Sequence, residues 1–252
     1  MKTIGSRAMQ QARRRHKVLP NGTGYHRGEY MPELKDDPGA PHAFLVEQDP
    51  NTMILPHFHK QNQFQIIVGG GGLLGRHAVG PLLVHYAGAY TGYGPIVCGP
   101  QGVQYLTLRP RYDPGAQFMP EARELMVRGP KKHFSSEPIV QFDAATLRAT
   151  TSVQHDALLT LEEGGLAVSF YRLPPHGSAE CLSPATGQGQ YILVAGGSLQ
   201  HAGQSLQQLE SVYLTPDEPA FTMTATAEGA EVLLLQFPPL AEEYRSTRPL
   251  YG

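Results

Sequence analysis

At 252 residues the chain has room for one large or two small domains, and a hydrophobic content of 40% supports a packed core. Charged residues make up only 17%, against 28 Gly and 22 Pro, a turn-rich composition that favours many short strands over long helices. A net charge of −2 carries no global signal for nucleic acid, no apolar run approaches the ~20 residues of a membrane span, and the first residues lack the apolar core of a secretory signal. Two cysteines, Cys98 and Cys181, form no disulfide framework and fit buried thiols in a reducing compartment, so a cytoplasmic protein is expected.

Residues 1–40 read as an N-terminal arm. Its basic run, Arg13 to Lys17, is read as a solvated face or a segment that wraps a partner subunit, with an anion contact as the alternative. Asp37-Pro38-Gly39 is a turn signal. Strand patterns begin at Ala43 and continue through Met53-Ile54-Leu55. The stretch Pro56 to Leu74 then carries His57 and His59. On a strand, residues two apart share a face, so both imidazoles look into one space. Phe64 to Val68 follows as a strand, and Gly69 to Gly72 predicts a tight turn. Further strands are expected at Pro81–Tyr86 and Val103–Leu108 around a glycine-rich segment, and a short helix at Glu121–Val127. His77, His85 and His201 are read as surface or structural residues.

The chain also repeats itself. Shifted by about 125 residues, Gln63 falls on Gln188, Ile67 on Ile192, Gly71 on Gly196 and Leu74 on Leu199. His-x-His, three residues, a polar residue and an aliphatic strand ending in glycine resemble the first cupin motif, His-x-His-x(3–4)-Glu-x(6)-Gly. His57 and His59 match its histidines and Gly70 its glycine, while Gln63 stands where the family has glutamate. The resemblance, doubled by the repeat, implies an all-β fold of two tandem cupin (double-stranded β-helix, jelly-roll-like) barrels. The divisions expected are an arm (1–40), an N-terminal barrel (41–130), a linker (131–150), a C-terminal barrel (151–240) and a tail (241–252).

The second cupin motif, Pro-x-Gly-x-x-His, normally supplies the last metal ligand. Through the repeat, Phe221 and Tyr90 take its histidine position, with Tyr105 as a rival in the first half. The resemblance thus implies a metal set of His57, His59, Gln63 and Tyr90, with Gln65, Tyr93 and Tyr105 lining a ligand pocket. The ion would be a divalent transition metal (Fe, Mn, Zn or Ni), or none. Two functions are carried forward. One is a metal-dependent enzyme of dioxygenase, isomerase or decarboxylase type acting on a small organic molecule in the N-terminal cup. The other is a non-catalytic binder or sensor that has lost its metal set. The second cup, with Phe221 and with Gly177 and Ser178 after His176, is read as structural or apolar. A homodimer is expected, with no nucleic-acid or membrane partner.

Overall fold

The computed structural model describes residues 2–32, 37 and 39–245. Pro38 of the expected turn and residues 246–252 of the expected tail lie outside the described residues. The chain forms two units, each built on an antiparallel sheet, as expected. Among the described residues no helix is long and apolar enough to cross a membrane.

The N-terminal barrel comprises residues 9–139 and 240–245 of the described chain. Its sheet runs in the order His133–Ser135, Val84–Ala87, Gln63–Leu74, Ile96–Arg109, His42–Gln48, Gly24–Glu29, Arg15–Val18. The two long central strands bend at register shifts, so their far ends carry separate short partners, Met53–Ile54 and His77–Val79. A bulged strand that serves two layers is a standard way to close a sheet around a core. The C-terminal barrel comprises residues 2–8 and 140–239. Its order is Lys2–Gly5, Ser211–Leu214, Gln190–His201, Thr222–Gln236, Ala167–Leu173, Gln154–Leu159.

Several local expectations are corrected. The first 40 residues are not a free arm. Lys2–Gly5 adds to Ser211–Leu214 of the C-terminal barrel, while Arg15–Val18 and Gly24–Glu29 form a hairpin on the N-terminal sheet. Residues 133–135 of the expected linker pair with Val84–Ala87. Glu121–Val127 contains only a short 3-10 turn, Arg123–Leu125. The four glycines do not turn the chain: Gln63–Leu74 is one strand running through them. Gly70 has φ +67° at the bulge, and a Cβ there would collide with the Gly102 carbonyl oxygen. Glycine is required for close approach, not for reversal.

The repeat is real but its register differs by two residues. Gly70 and Gly197 hold the same bulge, with φ +67° and +63°, against Gly102 and Gly229. Gln63 therefore corresponds to Gln190, two residues beyond the expected Gln188. A slip of two keeps every side chain on its face, so the sequence pattern alone does not distinguish the registers.

Candidate functional site

The interior of each barrel is set by paired rows across the sheet. In the N-terminal barrel His85 stands opposite Gln65, and Gln65 opposite Thr107. In the C-terminal barrel the same row is Val212, Ile192 and Leu234. All three are fully buried in one apolar cluster with Phe221. His176 is exposed on a turn with φ +60°. The second cup is thus filled by aliphatic side chains, as expected of an apolar, structural half.

The first cup is polar. His57 and His59 lie on the short strand and its continuation, with ring centroids 5.3 Å apart and planes at 89°. Acceptor-only neighbours assign their tautomers. His57 Nδ1 donates to the Leu55 carbonyl at 2.7 Å, which leaves Nε2 to accept from the Tyr93 hydroxyl at 2.8 Å. Gln63 Nε2 donates to the same hydroxyl at 2.6 Å. The Gln63 carbonyl oxygen accepts from Arg109 Nε and Nη2 at 3.1 and 2.9 Å. His59 Nδ1 donates to Asp113 Oδ1 at 2.8 Å, and Arg109 Nη2 lies over the imidazole face, 3.1 Å from its Nδ1 and 3.2 Å from its Nε2. Asp113 also accepts from the Lys60 and Gly115 backbone N–H groups at 2.8 and 2.9 Å, and stands 3.4 Å from Arg109 Nη1. The chain of bonds runs unbroken from Leu55 to Asp113.

Burial governs the electrostatics. It pushes the His57 pKa down to about 3, with His59 adding to the shift. His59 is lowered by burial and then by the adjacent Arg109 guanidinium. Both imidazoles are therefore neutral at pH 7. Burial raises the Tyr93 phenol, so it is protonated and able to donate. Burial alone would raise Asp113, but Arg109 and His59 outweigh it and hold the carboxyl well below the usual range.

The structure brings His57, His59, Gln63, Gln65, Tyr93 and Tyr105 around one cavity or its wall. Tyr90, expected as a metal ligand, is not among them. Its ring packs on Phe58 and Tyr244, and its φ is +56°. Tyr93, three residues on, reaches the site instead, its hydroxyl 2.8 Å from His57 Nε2. Tyr105 faces the cavity from the strand beyond. Arg109 and Asp113, 3% exposed each, went unnoticed in the sequence. The signal was there: Tyr105, Thr107 and Arg109 alternate along one strand face. His85, read as surface or structural, is buried on the interior row; burial and then His133 lower its pKa to about 4.

The donor set does not fit a metal ion as arranged. A metal takes a lone pair from each ligand. Here the His57 lone pair accepts from Tyr93, and the Gln63 oxygen is held by Arg109. The His59 ring lies against the same guanidinium, a fixed positive charge that repels a cation. Among the described residues no group of three His, Cys, Asp or Glu side chains could hold an ion.

No family model matches the chain, and no curated protein matches it. Solved structures do. A bacterial pirin from Escherichia coli, in complex with nickel(II), is 14% identical, with a TM-score of 0.56 over 95% of this chain and 100% of that one. The Mn(II)-containing oxalate decarboxylase of Bacillus subtilis is 11% identical, with a TM-score of 0.55 over 96% of this chain and 78% of that one. The coconut allergen cocosin is 11% identical, with a TM-score of 0.54 over 89% of this chain and 83% of that one. At these identities the likeness bears on the fold, which is that of the cupins. A nickel-bound pirin, a Mn(II)-containing decarboxylase and an allergen share it, so function rests on the site.

Proposed function

We propose that the N-terminal barrel is a small-molecule-binding cup that works without a resident metal, Arg109 and Asp113 taking over the organising role. The observation that carries this reading is the guanidinium of Arg109, bonded at 2.9 Å to the Gln63 oxygen and lying 3.1–3.2 Å from both nitrogens of the His59 ring. Two of the family's ligand positions are tied to one internal cation. The cup stays open to a ligand: a cavity of about 150 Å³ lies against His57, His59, Gln65, Tyr105 and Arg109. The His57 lone pair is taken by the Tyr93 hydroxyl and the His59 ring lies against a guanidinium that opposes its protonation, which favours binding over acid–base catalysis.

The test is elemental analysis of protein purified without a histidine tag, together with native mass spectrometry. Expected are well under ~0.1 metal per chain, and a small organic molecule retained or readily bound. One metal per chain, lost in the His57→Ala/His59→Ala variant, would overturn the reading. It would favour the metal-dependent dioxygenase-, isomerase- or decarboxylase-like enzyme instead. The observation on that side is the orthogonal pair of imidazoles 5.3 Å apart on one wall, which Tyr93 and Arg109 would have to release.

A further inference from the structure

We propose that the ligand of this cup is an uncharged molecule of one ring that carries a hydroxyl or carboxamide group. The inference rests on the metal-free reading above and deepens it. The charged groups of the wall are already engaged. Arg27 Nε donates to Glu29 at 2.7 Å, and its Nη2 lies 3.0 Å from His42 Nε2. Arg109 is held by Gln63, the His59 ring and Asp113. Glu29 and Asp113, the carboxylates of these pairs, do not line the cavity. An anionic ligand would have to draw a guanidinium away from its carboxylate, and a cationic one would meet two guanidinium groups and no carboxylate. Burying either charge unpaired is far costlier than burying a hydrogen-bonded neutral group.

The polar groups left to meet a ligand are neutral. Tyr25, Tyr105 and Thr107 line the cavity, and among the described residues no hydrogen bond engages their hydroxyls. Tyr105 and Thr107 are only 5% and 2% exposed. They stand two apart on the strand Ile96–Arg109, so both side chains share the interior face, with Gln65 opposite Thr107. Buried hydroxyls in folded proteins are hydrogen-bonded, so this pair calls for a partner in the cavity. Burial keeps the Tyr105 phenol protonated. Each hydroxyl can therefore donate and accept, and a ligand hydroxyl or carboxamide, which also does both, answers them.

The rest of the wall sets the body of the ligand. On the neighbouring strand Phe44 stands opposite Thr107 and Val46 opposite Tyr105, so an apolar surface begins beside the hydroxyls. Ile54 and Phe118 extend it. A volume of about 150 Å³ admits one six-membered ring and little more.

The test uses the full chain at pH 7, as purified and after chelation, in titration calorimetry with benzyl alcohol, benzoate, benzylammonium and toluene. These are one ring with a neutral, an anionic, a cationic and no polar group. Benzyl alcohol is expected to bind, with toluene about three- to tenfold weaker, the worth of one hydrogen bond. Both ions are expected to bind at least about tenfold weaker than the alcohol. The double variant Tyr105→Phe/Thr107→Val is expected to bring benzyl alcohol down to the level of toluene and to leave toluene unchanged, a split that loss of structure would not produce. Benzoate, benzylammonium or toluene binding as tightly as benzyl alcohol would overturn the proposal, as would binding of none of the four. So would a double variant of unchanged melting temperature that keeps the preference for the alcohol. If the double variant does not fold, the comparison of the four probes on the wild type still decides. Benzyl alcohol binding that disappears on chelation would overturn the metal-free reading while leaving the preference for an uncharged ligand standing.

Discussion

Replacing Asp113 with asparagine probes the network at its one buried carboxylate. Asp113 is 3% exposed, and its oxygens are engaged by His59 Nδ1 at 2.8 Å and by the Lys60 and Gly115 N–H groups at 2.8 and 2.9 Å, with Arg109 at 3.4 Å. Asparagine keeps the shape but removes the charge opposite Arg109, itself 3% exposed. It also turns one acceptor into a donor facing existing donors. Breaking a buried pair from one side costs about 3–5 kcal/mol, because the remaining ion has lost both water and partner. At about 2–4 °C per kcal/mol for a chain of this size, melting of the N-terminal barrel should fall by roughly 6–20 °C. The assay is thermal and urea unfolding of wild type, Asp113→Asn, Arg109→Met and the double variant. Removing both charges leaves no orphan ion, so the double variant should lose at least ~1 kcal/mol less than the sum of the singles. A cost for Asp113→Asn under ~1 kcal/mol, or strict additivity in the cycle, would refute the idea that these two charges depend on each other.

Stability should fall on acidification below about pH 6.5, where the unfolded histidines begin to protonate. His57 and His85 have folded pKa values of about 3 and about 4, so near pH 5 the unfolded chain binds almost two protons that the folded one refuses, a slope of roughly 2–2.7 kcal/mol per pH unit that is steepest there. Asp113, whose folded pKa is depressed, stabilises above its unfolded value of ~3.9 and loses that contribution as pH falls further; urea midpoints that stay flat from pH 7 to 5 would contradict the neutral, buried imidazoles. Gln63→Glu or Tyr93→His alone should create no metal affinity, since Arg109 would pair with the new carboxylate or still face the ring. The triple variant with Arg109→Met should bind Ni(II) or Mn(II), measured by equilibrium dialysis, and tight binding by either single variant would count against the role given to Arg109. Gly70→Ala should destabilise by at least ~1–3 kcal/mol, because its Cβ meets the Gly102 carbonyl at φ +67°. Gly80→Ala, with nothing within 4 Å of the added carbon, should be neutral within ~0.5 kcal/mol in the same denaturation assay.

The strand alternation, the glycine and proline punctuation and the internal repeat were enough to specify an all-β chain of two barrels, because burial on a sheet has a period of two that the sequence writes directly. The shared wall of His57 and His59 followed from the same period. The contrast between a polar first cup and an apolar second one was read from Phe221 and from Gly177 and Ser178 after His176; the exchange of Gln65 and Thr107 for Ile192 and Leu234 shows only in the corrected register. Three things came only from the tertiary structure. The register of the repeat was ambiguous by two residues, a slip that leaves every face unchanged and is decided by where Gly70 and Gly197 must let a carbonyl pass. That Tyr93 and not Tyr90 meets His57 was decided by the fold, which packs Tyr90 on Phe58 and Tyr244 and brings the Tyr93 hydroxyl to His57 Nε2. Arg109 and Asp113 meet Gln63 and His59 across separations of 46 and 54 residues. Arg109 and Asp113 are only four residues apart, but their contacts to Gln63 and His59 follow no period or spacing and exist only once the sheet has closed.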